Sequence, residues 1–133
     1  MKTKVAFMTF LSLLFMTAFS QNRVCEWDIE KITSVRVEIR QFAQQADVVI
    51  LNERSEIETL LSFLRKTEFK NDDGCNFDKE KIVDQWLVKI IFKGQRDQIL
   101  LMTNYATIGK TLFMVDNDVV EDVIEIVRGL KDL

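Results

Sequence analysis

The chain has 133 residues, of which 47% are hydrophobic, and a formal net charge of −3. Because it is acidic overall and has no cluster of Lys and Arg residues, it is a poor match for nucleic acid or an anionic membrane surface. It contains no His, which excludes Ser-His and Cys-His catalytic pairs and imidazole ligands for zinc.

Residues 1–20 have the layout of a secretory signal peptide. Two Lys residues precede an apolar run over 5–19, and the small residues Ala18 and Ser20 stand before a predicted cut at Gln21. The apolar run is short for a bilayer span, so an uncleaved membrane anchor is the weaker alternative. We therefore expect the protein to be exported, to a periplasm or to the exterior.

Cleavage before Gln21 leaves residues 21–133, a length that suits one domain with one core. Two Lys residues are lost while all 21 acidic residues stay, so the net charge of the mature chain becomes −5. There is no Pro, and no internal repeat or Gly/Ser linker divides the chain. We expect a single exported domain that has no membrane span once the signal is removed.

Cys25 and Cys75 are the only cysteines, and both lie in the mature chain. An oxidising compartment favours one disulfide between them. Such a bond stabilises a fold mainly by restricting the conformations of the unfolded chain. For a loop as long as the one between Cys25 and Cys75, the stabilisation is about 4 kcal/mol. The alternative is a reactive thiol, but without His no imidazole is present to activate it.

Two strands and a helix are predicted after the first cysteine. Residues 27–40 alternate between apolar and polar side chains, which is typical of a strand with one buried face and one wet face. The apolar run 48–51 predicts a shorter, more buried strand that pairs with the first. Ser55 and Glu58 have the spacing of a capping box, and the apolar stripe that follows predicts an amphipathic helix.

The polar connection 70–81 is the best local candidate for an ion site. If Gly74 takes position six of an EF-hand-like loop, position one is Phe69, whose side chain has no oxygen ligand. Three aspartates of the loop could still gather around Ca²⁺ in another geometry. We expect no metal ion and no cofactor, and a Ca²⁺-stabilised exported module stays an alternative. The three aspartates are Asp72, Asp73 and Asp78.

Three strands and a second helix follow. Trp86 and Phe92 fall on the same apolar face of the first of these strands, so both are predicted core residues. Asp118 and Glu121 have the spacing that begins the last helix. The strands are predicted over 86–92, 99–103 and 108–115, with turns at 93–97 and 104–106.

The order of these elements is β-β-α-β-β-β-α. Short links between successive strands favour antiparallel pairing. Each helix has one apolar stripe, so the two helices together can cover one face of the sheet. The sequence therefore predicts a two-layer α+β domain, with a five-stranded, mainly antiparallel sheet and two helices on one face.

Seven residues are candidates for partner binding. Along strand 86–92, apolar and basic side chains occupy the positions between the buried ones, so they lie on the opposite face of the sheet. Two apolar residues of the next strand lie on that face too, which predicts an exposed patch. A tyrosine in the turn at 104–106 could anchor a partner or lie back over the sheet. The alternative is that a loop or the N-terminal segment covers the patch. The candidates are Leu87, Lys89, Ile91, Lys93, Leu100, Met102 and Tyr105.

These features favour an exported, non-catalytic binding or interaction domain, a class that includes inhibitor and immunity proteins. Its partner would be another protein or a small ligand of the cell envelope. A carboxylate-based hydrolase is a further alternative, because paired acids can act as general acid and base. The 21 acidic residues of so short a chain produce such pairs by chance, and nothing in the sequence fixes their separation. The acids considered are Asp72, Asp78, Glu80 and Asp84.

Overall fold

The computed structural model describes residues 23–40, 45–71, 81–82 and 85–131. The predicted signal peptide, Cys75 and the acidic residues of the 72–80 connection lie outside the described residues, as does Asp84. Within them the chain forms an antiparallel sheet and two long helices. The predicted α+β class, with both helices on one face of the sheet, is confirmed.

In the described residues the sheet has seven strands in the order β2-β1-β4-β5-β6-β7-β3, and every neighbouring pair is antiparallel. Six strands are longer than two residues, one more than the five predicted. The strands are β1 (Ser34–Ile39), β2 (Asp47–Leu51), β3 (Lys70–Asn71), β4 (Val88–Lys93), β5 (Ile99–Leu101), β6 (Tyr105–Ile108) and β7 (Thr111–Met114).

The additional strand arises from a hairpin at Gly109. The predicted turn at 104–106 is wrong at Tyr105, which begins β6, and the predicted last strand 108–115 is divided by a turn at Gly109 and Lys110. Gly109 has a φ of 60°, a conformation that glycine adopts without steric cost. A two-residue turn with glycine is a common hairpin connection, so the isolated glycine was the signal for this reversal.

The two long helices of the described residues are α1 (Arg54–Lys66) and α2 (Val119–Lys131). α1 begins at Arg54, so its N-cap is Glu53 and not the predicted Ser55. The backbone N–H of Glu53 donates to the Glu56 carboxylate at 3.2 Å. Glu53 and Glu56 have the same spacing as Ser55 and Glu58, so the sequence contains two overlapping capping boxes and the earlier one forms.

The helices bury one face of the sheet. Apolar side chains of α1 and α2 pack against alternate residues of β1 and β4, as the period of two requires. Trp27, from the segment before β1, meets Phe92 edge to face, with ring centroids 4.8 Å apart. Among the fully buried members of this core are Val35, Val37, Leu60, Leu61, Leu64, Val88, Ile90, Val123 and Val127.

Two short 3₁₀ turns, Arg23–Glu26 and Ile29–Lys31, precede β1. Arg65, near the end of α1, donates from Nη2 to the carbonyl oxygen of Trp27 at 2.6 Å. This bond joins the N-terminal segment to the helix layer. None of the helices in the described part of the chain is long and apolar enough to cross a bilayer.

A second polar contact joins the start of α1 to the end of α2. The Glu56 carboxylate is only 7% exposed and accepts from Lys131 Nζ at 3.1 Å and 3.2 Å. Burial alone would raise the pKa of Glu56. Hydrogen bonds from Lys131 and from the backbone N–H groups of Glu53 and Asn52 outweigh that effect and lower the pKa below its ordinary value of 4.5.

Replacing Glu56 by Gln is expected to destabilise the protein by about 1 kcal/mol at neutral pH, because the Lys131 ammonium loses its charged partner. A lowered folded-state pKa means that the carboxylate stabilises the fold fully above pH 4.5 and loses that effect as the pH falls further. Urea denaturation of wild type and Glu56→Gln should therefore give curves that converge below pH 4.5. Glu58→Gln, which changes an exposed residue of the same helix, serves as control. A stability difference that is constant from pH 7 to pH 3 would contradict this assignment.

Gly94 offers a test of the packing between β4 and the N-terminal segment. Its φ is 105°, and an added Cβ would lie 1.9 Å from the carbonyl oxygen of Lys31. Gly94→Ala should therefore lower the free energy of unfolding by more than about 1 kcal/mol. The matched control is Gly129→Ala in α2, where a Cβ meets nothing within 4 Å and alanine should raise helix stability by up to about 1 kcal/mol. Equal effects of the two substitutions would show that Lys31 does not lie where we place it.

Candidate binding face

The face of the sheet away from the helices is exposed at one end and covered at the other. Its covered end lies over β5, β6 and β7, where Leu100 and Leu112 form a second apolar cluster with Ile82 and Trp86. Ala46, Met102 and Tyr105 pack at the margin of this cluster. Ile82 and Trp86 therefore form a partial second layer.

Trp86 belongs to this second layer and not to β4. β4 begins at Val88, so the prediction that Trp86 shares a strand face with Phe92 is wrong. The guanidinium of Arg40 lies over the Trp86 ring at 3.9 Å, and Lys89 Nζ lies 5.2 Å from the ring centroid. Such cation–π contacts hold the indole against the sheet at the border between its covered and exposed ends.

The seven predicted partner-binding residues divide into three groups. Leu100 is only 4% exposed, so the expectation that it lies on a free surface is wrong, because Ile82 and Trp86 cover it. Met102 and Tyr105 are half-buried beside it, and Leu87 is half-buried against the helix-side core. Lys89 and Ile91 are half-buried and Lys93 is exposed; these three stay on the open end of the face.

Two apolar residues of β2 extend this open end. Val48 is 45% exposed and Ile50 is 44% exposed, although the apolar run 48–51 predicts a more buried strand. Among the described residues β2 pairs with β1 alone, so it lies at the edge of the described sheet. Because side chains alternate along a strand, Val49 and Leu51 face the helix layer, and Val48 and Ile50 lie on the opposite face, which neither long helix covers. The sequence pattern does not reveal which strand lies at an edge.

Register brings these side chains into adjacent rows. Ile50, Arg36 and Ile91 lie side by side across β2, β1 and β4. Val48 and Lys89 flank Glu38 in the next row, and Lys93 lies opposite Ser34, the first residue of β1. We call the surface formed by Arg36, Val48, Ile50, Lys89, Ile91 and Lys93 the open patch.

The open patch is basic, although the chain as a whole is acidic. It contributes three cations, and Arg40 adds a fourth at its border. Glu38 is the one acidic side chain among the β1 and β4 residues on this face, and it lies 3.5 Å from Arg36 Nε. The arrangement of exposed aliphatic side chains among cations suits a surface that carries carboxylates and apolar groups.

The other predicted sites receive less support from the described residues. Cys25 is exposed and its Sγ lies 3.6 Å from the carbonyl oxygen of Arg65; it forms no disulfide with another described residue, and its predicted partner Cys75 lies outside the described residues. In the part of the chain that the structure describes, no three His, Cys, Asp or Glu side chains are grouped so as to hold a metal ion.

Comparison with protein-family models, with curated proteins and with solved structures finds no match to this chain. Its function is therefore inferred from the open patch itself.

Proposed function

We propose that this protein is an exported, non-catalytic binding domain and that the open patch binds an acidic surface of another protein. The observation that carries the proposal is the pairing of Val48 and Ile50, both more than two-fifths exposed, with a local excess of positive charge in an acidic chain. The apolar side chains supply the area that becomes buried on binding. The cations supply selectivity for the partner and a faster encounter with it.

A protein partner fits this surface better than a small ligand does. The patch is a set of side chains that stand on neighbouring strands of a sheet, whereas small-molecule sites are usually concave. Arg36 and Lys93, the two most exposed cations, lie on different strands, so a partner must extend over both to meet them. A folded protein surface or an extended polypeptide satisfies this requirement.

Charge reversal of the patch tests the proposal. The double substitution Arg36→Glu and Lys93→Glu should abolish capture of an acidic partner, because both exposed cations become carboxylates. The control is Arg96→Glu with Lys110→Glu, which makes the same charge change at exposed positions outside the patch. Capture is measured by affinity purification from the source organism at two salt concentrations.

The expected result is a protein that wild type and the control retain, that the patch variant loses, and that high salt releases. If both variants retain the same proteins as wild type, the open patch is not the binding surface. Both changes lie on exposed side chains, so the fold should tolerate them.

Export and the Cys25–Cys75 disulfide form part of the same proposal. Because an exported chain folds in an oxidising compartment, we expect the secreted protein to begin at Gln21 and to have no reactive thiol. Intact mass and alkylation of the non-reduced protein measure both properties together. Retention of residues 1–20 would contradict cleavage, and alkylation of Cys25 in the untreated protein would contradict the disulfide.

A further inference from the structure

We propose that the partner adds an extended strand to the edge of β2 that no described strand pairs with, and that this added strand alternates acidic and apolar residues. The inference rests on the proposed function and specifies how the partner binds. It depends on three features of β2, namely its position in the sheet, its side chains, and the charges on the two sides of it.

The two edges of the described sheet differ in how they are protected. Two residues of β3 are described, one of them the exposed Lys70, whose Nζ lies 3.9 Å from Asp116. Lysine on an edge strand is a common way to prevent edge-to-edge pairing. β2 has five residues, four of them aliphatic, and includes neither Lys nor Pro. The sheet is therefore blunted at the β3 edge and not at the β2 edge.

The backbone of β2 is in a suitable conformation to accept another strand. Five consecutive residues, Asp47 to Leu51, pair with β1 in one continuous register, so no bulge turns the edge away. In an antiparallel pair, alternate residues direct their N–H and C=O groups away from the partner. An added strand would supply hydrogen bonds to those groups, as in other cases of strand addition.

Side chains on the two sides of β2 define what the added strand should contain. On the open side, carboxylates whose aliphatic stems lie on Val48 and Ile50 can reach toward Arg36, because neighbouring strands are only about 4.8 Å apart. On the helix side of β2, Val49 is half-buried. Asp47 also lies on that side, and its Oδ2 is 4.0 Å from Nη2 of Arg128 in α2. An apolar residue there would extend the core. The resulting pattern alternates acidic and apolar residues.

A second copy of this chain is a poorer occupant of the same edge. Antiparallel pairing of β2 with itself would form one continuous sheet and place both open patches on the same side of it. Such pairing would bring no acidic side chain of one open patch close to the cations of the other, since Glu38 already lies against Arg36 of its own copy, whereas an acidic strand brings carboxylates toward those cations. The charge of the open patch therefore favours a different, acidic polypeptide.

The probe is the peptide acetyl-Glu-Val-Glu-Val-Glu-Val-Glu-amide, and the control peptide has Lys in place of every Glu. In NMR titrations of the purified protein, the acidic peptide should shift the amide signals of Asp47–Leu51 more than those of Lys70–Asn71. Its affinity should fall as salt is added, and the basic peptide should not bind. Ile50→Glu should weaken binding at least about tenfold, while Met114→Glu, at a similarly exposed position of β7, should leave it unchanged.

Two N-methylated forms of the acidic peptide separate strand addition from docking on the open patch. One is methylated on its Val amides and the other on its Glu amides. Because alternate N–H groups of a strand point to opposite sides, strand addition predicts that one form loses at least about tenfold in affinity and the other does not. Equal binding of both forms, with shifts centred on β1 and β4, would overturn strand addition and leave the open patch as the site.

Two further results would also overturn the inference. One is the absence of any shift with the acidic peptide at millimolar concentration, which would leave the charge-reversal test of the open patch unaffected. The other is a salt-resistant dimer of the free protein, seen by sedimentation and abolished by Ile50→Glu, because β2 would then be occupied by a second copy.

Discussion

The sheet has two faces, and the two helices cover only one of them. Burying the helix-side face is what stabilises the fold, because β1 and β4 direct alternate aliphatic side chains into α1 and α2. On the other face the strands differ. On β1 this face has the charged side chains of Arg36 and Glu38, which water solvates well. On β5 and β7 it has the apolar side chains of Leu100 and Leu112, which are more stable when buried. A sheet of this kind needs a second cover at one end only.

Ile82 and Trp86 provide that partial cover. Trp86 fills the space over Leu100 and Leu112, and its indole is held at the border by Arg40 and Lys89. Those two cations have a double role, since they pack on the ring and also contribute positive charge to the adjoining open end. The position of the open patch therefore follows from where this cover ends. Beyond it, Val48 and Ile50 are exposed on β2, at the edge of the described sheet.

Much of the fold could be predicted from local sequence patterns. The alternation around Val35 and Val37 and the apolar stripes of both helices fix the element types and the buried face, because those periods depend on neighbouring residues alone. Strand order depends on pairing between distant segments, and no local pattern contains it. For that reason the apolar run at Val48 predicts a buried strand, although β2 lies at the edge of the described sheet and Val48 and Ile50 are exposed.

The candidate site was predictable in part for the same reason. Lys89, Ile91 and Lys93 lie on the open face because strand alternation alone places them opposite Val88 and Ile90. The prediction that Leu100 is exposed is wrong because Ile82 and Trp86, 14 residues or more earlier in the chain, cover it. Local periodicity does not contain that contact. The hairpin at Gly109 was missed although the glycine itself was visible, because apolar residues continue on both sides of it.

Amide hydrogen exchange of β2 measures most directly whether this edge is free. If nothing lies against it, the five amides of Asp47–Leu51 should divide into slowly exchanging groups that bond to β1 and rapidly exchanging groups that face solvent. Amides of β1, which has a neighbour on each side, should all exchange slowly. Uniformly slow exchange along β2, equal to that of β1 in the isolated protein, would contradict the account, because it would mean that the edge is already covered.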